Sequence, residues 1–376
     1  MKVYLDNAAT TPIAPEIIEM MHILMKDSFA NPSSVHSFGR ESKIIVESAR
    51  KKIANLLNTS PGSIFFTSGG TEADNMAIKC AIKDHKITHA ITSKISHHAV
   101  LYPLQDLFKE GLIKLSYVDF DKNGVISLSH LKQILQESPR TFVSIMHANN
   151  EIGTIQDIEK IGDICKEYNA IFHSDTVQTI AHYPFNMQEL NVDFMAASAH
   201  KFHGPKGVGF VYISENIQIN PLLRGGAQER NMRAGTENIY GIAALAMAME
   251  MAYENLNEEV KYIKGLKKHM IKKLQTELND VQFYGKCTDL DNSLYTVLSC
   301  HFPETDISEM LLFNLDILGV ACSGGSACVS GGSKSSHVLS GINSEIKRPG
   351  IRFSFSKYNT KQDIDFAIDQ LKSLFL

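Results

Sequence analysis

Between about residues 60 and 215 the chain alternates short apolar runs, rich in β-branched and aromatic side chains, with longer stretches of helical periodicity. Ile64 to Thr67, His89 to Thr92, Leu115 to Val118, Phe142 to Met146, Ala170 to His173 and Val208 to Tyr212 read as strands. Glu72 to Lys83, Ala99 to Lys109 and Ile158 to Tyr168 read as helices between some of them. Strand–helix–strand repetition predicts a largely parallel α/β sheet with helices on its faces, whose ligands bind beyond the carboxyl ends of the strands. A long helical region from Ile239 to Leu278 follows, and then the pattern changes. Ser293 to Ser299, Ile307 to Leu318, Ile351 to Phe355 and Gln362 to Leu374 suggest a smaller α+β unit, with the long helix as connector. The Gly/Ser-rich stretch Ser323 to Ser336 reads as a mobile surface loop.

Composition narrows the class. The chain has 376 residues, 44% apolar and 21% charged, enough for two or three compact units at about 150 residues each. With 37 basic against 41 acidic side chains it lacks the cationic excess of a nucleic-acid face. Cys80, Cys165, Cys287, Cys300, Cys322 and Cys328 form no CxxC pair and no disulfide framework, so six reduced thiols are expected. The start, Met1 to Asn7, turns polar before a signal-peptide core could form, and no apolar run approaches the ~18 residues of a membrane span. A cytoplasmic protein without a membrane partner is expected.

Two patterns mimic metal sites. Asp119 to Gly124 opens like a calcium loop, but its twelfth position is His130 where a bidentate Glu is required. His200 and His203 have helical metal spacing without a carboxylate or thiol beside them, so no metal is expected.

Three segments carry chemistry. Phe65 to Asn75 runs from a strand through Ser68-Gly69-Gly70-Thr71 into a helix, which aims backbone N–H groups and a helix dipole at one place and suits a phosphate. Alone, a capped turn explains it equally well, and it lacks the glycine spacing of a nucleotide loop. Asp175 ends an apolar strand, where it could cap a helix or hold a cationic ring nitrogen protonated. Lys201 sits among small and aromatic residues, a setting in which an amine loses its proton more easily and can form a Schiff base.

These segments, with Tyr4 to Pro12, Asn31 to Ser34, His147 to Gly153 and Ile351 to Ser354, make the sequence resemble the NifS/IscS-like cysteine desulfurases of the class-V aminotransferase family. The resemblance runs nearly end to end. It implies a fold-type I pyridoxal-phosphate transferase with a mainly parallel seven-stranded sheet covered by helices, plus a smaller α+β domain. Residues 1–15 would pack with the small domain, 16–255 form the large cofactor-binding domain, and 256–376 form the small domain carrying the cysteine loop. The implied reaction converts L-cysteine to L-alanine and leaves the sulfur as a persulfide on Cys328, for iron–sulfur cluster assembly or tRNA thiolation through an acceptor protein. A selenocysteine lyase or another class-V aminotransferase is the alternative.

By the same resemblance Lys201 binds the cofactor aldehyde, Asp175 pairs with the ring nitrogen, Gln178 contacts the ring hydroxyl, and His97 stacks on the ring and shares in proton transfer. Gly70, Thr71, Ser198 and His200 form the phosphate cradle, completed by Thr236 of a second subunit, which implies a homodimer. Arg352 takes the substrate carboxylate, with Asn150 against cofactor and substrate. Two departures stand out. Cys322 lies six residues before Cys328, where a non-thiol is common, and reads as a small hydrophobe or as a second thiol. The chain ends at Leu376 without the C-terminal extension by which IscS-type members engage their iron–sulfur scaffold.

Overall fold

A computed structural model describes residues 1–138, 140–325, 336–342 and 348–375. The chain opens with β1 (Val3–Tyr4), α1 (Pro15–Asp27) and α2 (Ser37–Leu56). Strands and helices then alternate: β2 (Ile64–Thr67), α3 (Gly70–Asp84), β3 (His89–Thr92), α4 (His98–Lys109), β4 (Lys114–Tyr117), α5 (Leu128–Gln136), β5 (Thr141–Ser144), α6 (Ile158–Glu167), β6 (Ile171–Asp175), β7 (Phe194–Ser198) and β8 (Gly209–Ile213). The seven strands β2 to β8 form one sheet in the order β2-β8-β7-β6-β5-β3-β4, in which only β8 runs against the others.

The sheet is covered on both sides, which is why its strands read as continuous apolar runs. Successive residues fall into opposite cores. Phe66, Val143, Phe172, Met195 and Phe210 face one cluster with Val46, Ile53 and Ala244. Phe65, Phe142, Ile171, Phe194 and Val211 face another with Ala77 and Leu104. The strand β7 escaped the sequence reading because Phe-Met-Ala-Ala-Ser carries no β-branched residue, yet it is buried throughout and bridges β6 to β8.

The expected long connector is two helices, α7 (Ile239–Glu254) and α8 (Leu256–Glu277), separated at Asn255, whose backbone (φ −108°, ψ 11°) is not helical. α7 buries Ile242, Leu245 and Met249 in the first core, whereas Ile263, Leu266, Met270 and Leu274 of α8 enter a separate one. That second core underlies a four-stranded antiparallel sheet built from β9 (Gln282–Phe283), β10 (Val297–His301), β12 (Ser323–Gly325) and β13 (Gly350–Ser354). Helices α9 (Leu311–Ile317), α10 (His337–Ile342) and α11 (Lys361–Phe375) accompany it, and β11 (Val320–Ala321) pairs with β1. The first three residues of the expected surface loop are therefore an edge strand. Val3 and Leu5, from the far end of the chain, pack in this second core.

The strand β2 lies at an edge of the large sheet and is closed by side chains. Arg50 Nη1 and Arg230 Nη2 each donate to Ile64 O at 2.7 Å, and Glu229 Oε2 accepts from the Phe66 N–H at 2.8 Å. Glu229 also grips Arg50 through both oxygens, at 2.7 and 2.8 Å, with both side chains buried. The clamp bends the chain hard: Glu229, Arg230 and Asn231 have φ of 44°, 56° and 66°. Glu229→Ala leaves the buried Phe66 N–H without an acceptor and the buried Arg50 guanidinium with only Ile64 O and the partly exposed Glu47 carboxylate. It should cost about 3–5 kcal/mol, read as a lowered urea midpoint at unchanged slope; a loss below about 1 kcal/mol, the range of an exposed pair, would show the clamp to be dispensable.

Candidate active site

Strands β2, β3, β5, β6 and β7 end at the same edge of the sheet, and the segments that follow them line one cavity of about 530 Å³. It collects Gly70, Thr71, His97, Asn150, Asp175, Gln178, Ser198, His200 and Lys201, nine residues named from the sequence and drawn from five separate segments.

The turn after β2 can form only with glycines. Gly69 has φ +149°, and a Cβ on Gly70 would collide with Val177 Cγ2. A Cβ on Gly209 would strike Ala197 O and the Gly69 backbone. With these side chains absent, the first-turn N–H groups of α3, which have no carbonyl ahead of them in the helix, open onto the cavity beside Ser198. A phosphate fits such a donor set.

The Lys201 amine donates to Ala8 O at 2.6 Å and Ala9 O at 3.0 Å. Burial, with the nearby Arg352 charge, pushes its pKa down to about 8 against the opposing pull of Asp175 and Asp6. Gln178 Nε2 donates to the same Ala8 carbonyl at 3.0 Å. His200 Nδ1 meets Thr10 Oγ1 at 3.1 Å, and burial together with Lys201 and Lys206 holds its pKa down to about 4, so the ring is neutral. His97 caps α4, its Nδ1 accepting from the Ala99 N–H at 3.2 Å. His98 instead stacks on Tyr102, 4.5 Å away.

Asp175 closes β6 and accepts from the Val177 N–H at 3.0 Å. Behind it lies Asp74, a cavity residue that the sequence reading passed over. Burial and the charge of Asp175 push the Asp74 carboxyl well up, while burial pushes His173 down to about 3. Asp74 Oδ1 and His173 Nε2 stand 3.2 Å apart, and neither atom makes a hydrogen bond among the described residues.

Arg352 stands one step back from the cavity lining: Nη1 donates to Asn150 O at 3.0 Å and Nη2 to Asp6 Oδ1 at 2.9 Å. Thr236 is exposed and lines a neighbouring cavity that shares only Ser68 and Gly207 with the first. Cys328 lies outside the described residues. Of the other thiols, Cys80, Cys165, Cys287 and Cys300 are buried and pushed above the usual thiol range by that burial, Cys80 to about 11. Cys322 is half-buried against the second core. Of the two apparent metal patterns, the Asp119 segment is a turn tied by Asp121 Oδ1 to the N–H groups of Asn123 and Val125. In the other, His203 Nδ1 binds Pro12 O.

The family model for class-V aminotransferases matches residues 3–366. A cysteine desulfurase IscS of Dictyoglomus turgidum is 43% identical over 377 aligned positions, covering 99% of this chain and 94% of the relative. A putative cysteine desulfurase IscS of Bacillus subtilis is 41% identical, covering 97% and 96%. The solved structure of a NifS-like protein superposes with a TM-score of 0.91 at 37% identity, over 100% of this chain and 99% of that one. An architecture, a cavity and full-length similarity that agree in this way leave one conclusion: the chain belongs to the class-V aminotransferase family, among its NifS/IscS-like cysteine desulfurases.

Proposed function

We propose that this chain is a pyridoxal 5′-phosphate-dependent cysteine desulfurase that converts L-cysteine to L-alanine and takes the sulfur onto Cys328 as a persulfide. One observation carries the reading: a half-buried amine, Lys201, and the Asp175 carboxyl share a cavity with an open helix N-terminus.

The family is pyridoxal-phosphate dependent, and the donors fit that group. Gly70, Thr71, Ser198 and His200 would hold the phosphate, Asp175 the protonated ring nitrogen, Gln178 the ring hydroxyl, His97 the ring face and Lys201 the aldehyde carbon. Bound there, the cofactor supplies an electron sink for the bonds at a substrate α-carbon. Arg352 receives the substrate carboxylate next to Asn150, and Lys201 Nζ or His97 Nε2 moves the α-proton. The Cys328 thiolate then attacks the substrate sulfur. A sulfur–sulfur bond forms as the Cβ–S bond breaks, the electron pair stays on carbon, and protonation completes alanine.

Several further parts belong to the same reading. A homodimer is supported by Thr236, which in its own chain is exposed and outside the cavity, and by apolar Phe29, Val35, Phe38 and Ile44 on the surface. The division into residues 1–15, 16–255 and 256–376 is supported by the separate cores on either side of Asn255 and by Val3 and Leu5 in the second. A working thiol suits the cytoplasm. An iron–sulfur scaffold or a thiolation carrier receives the sulfur.

Incubated with L-cysteine and no keto acid, the holoenzyme should release alanine and carry one sulfur on Cys328, and Cys328→Ala should lose alanine release while keeping the yellow cofactor band. Unchanged release by Cys328→Ala overturns the assignment, and a requirement for a keto acid points to an aminotransferase. With its pKa near 8, the Lys201 amine goes from about a tenth neutral at pH 7 to about nine-tenths at pH 9. Cofactor capture by the cofactor-free protein, followed by absorbance, should rise about tenfold over that range and then level off; a rise continuing beyond pH 10 would show an unperturbed amine.

A further inference from the structure

We propose that Asp6 is a positioning residue for the substrate-carboxylate arginine, an inference that rests on the role given to Arg352 above. Asp6 Oδ1 accepts from Arg352 Nη2 at 2.9 Å and from Ser323 Oγ at 2.7 Å. The two donors are register neighbours on β13 and β12, so one carboxylate oxygen ties the arginine to the strand beside it. The other end of the guanidinium, Nη1, is held by Asn150 O. With both ends fixed, the plane of the guanidinium is fixed. Arg352 Nε is buried and makes no hydrogen bond among the described residues, so the fixing contacts are those of Nη1 and Nη2.

Asp6 can do this because it is itself held. The Tyr4 hydroxyl donates to Asp6 O and Thr10 O, at 3.1 and 2.7 Å. On the other side Asn7 Nδ2 donates to Ser354 O, two residues beyond Arg352. The side chains of Asp6 and Arg352 are only 20% and 11% exposed, so water does little to screen the pair. A free arginine side chain would lose much of its rotamer freedom on gripping a ligand. Asp6 removes that freedom beforehand, which lowers the cost of binding.

The test is kinetic and uses the holoenzyme. Asp6→Ala should raise KM for L-cysteine, and the dissociation constant of L-alanine read from the visible cofactor band, by about 10- to 100-fold, with kcat within about threefold of wild type. In an Arg352→Ala background the same substitution should add less than about twofold, because it acts through the arginine. Asp6→Asn, which keeps the acceptor oxygen, should fall between and serves if Asp6→Ala does not fold. A lowered KM would overturn the proposal by making Asp6 a competitor of the substrate. A fall in kcat alone, or full additivity with Arg352→Ala, would overturn it equally. If the wild type releases no alanine from cysteine, the desulfurase reading fails, while the L-alanine titration still decides the role of Asp6.

Discussion

The Lys201 amine is held by the carbonyls of Ala8 and Ala9, from a segment almost two hundred residues earlier. An amine kept away from water needs acceptors, and backbone carbonyls supply them without a counter-charge that would fix the proton in place. Much of the surrounding site depends on that segment staying put. Thr11 N–H and Oγ1 both donate to His200 O, Ala8 N–H donates to Ser354 Oγ, and Asn7 binds Ser354 O and Asn359. The first dozen residues thus act as a wedge between the large sheet's cavity and the strand that carries Arg352, touching both.

The carboxyls at the other end of the cavity obey the opposite logic. Burial, and after it the charge of Asp175, push the Asp74 carboxyl well up. Burial likewise opposes charge on the neighbouring His173 ring, which is pushed down to about 3.

Local patterns made much of this legible. The anion turn after β2, the acid ending β6 and the lysine after β7 each lie within a few residues of an apolar strand, so their convergence follows once the strands are parallel. The exceptions have physical causes. The strand β7, Phe-Met-Ala-Ala-Ser, has one strand-favouring residue in five and owes its conformation largely to neighbours on both sides. The break at Asn255 falls at a residue that favours helix ends, but the strong helix formers on both sides hide it, and the two helices enter different cores. Ser323 to Gly325 has the composition of a loop, yet β13 offers it a ladder. Asp6 lay inside a motif quoted for its resemblance, but its partners Arg352 and Ser323 are more than three hundred residues away, a distance no local pattern spans. Asp74 sits mid-helix, and its significance comes only from the neighbour β6 brings to it.

The side-chain closure of β2 bears on how the protein is made. Arg50 precedes β2 and can cover the Ile64 carbonyl early, but until Glu229 is synthesised and delivered the outward N–H of Phe66 is an open edge on a strand of Ile-Phe-Phe-Thr, the kind of surface that recruits foreign strands. The cap lies more than 160 residues downstream, so closure is a late, non-local event. A nascent chain on the ribosome therefore carries a sticky apolar margin for some time, and chaperone demand during synthesis should track the arrival of this one bend.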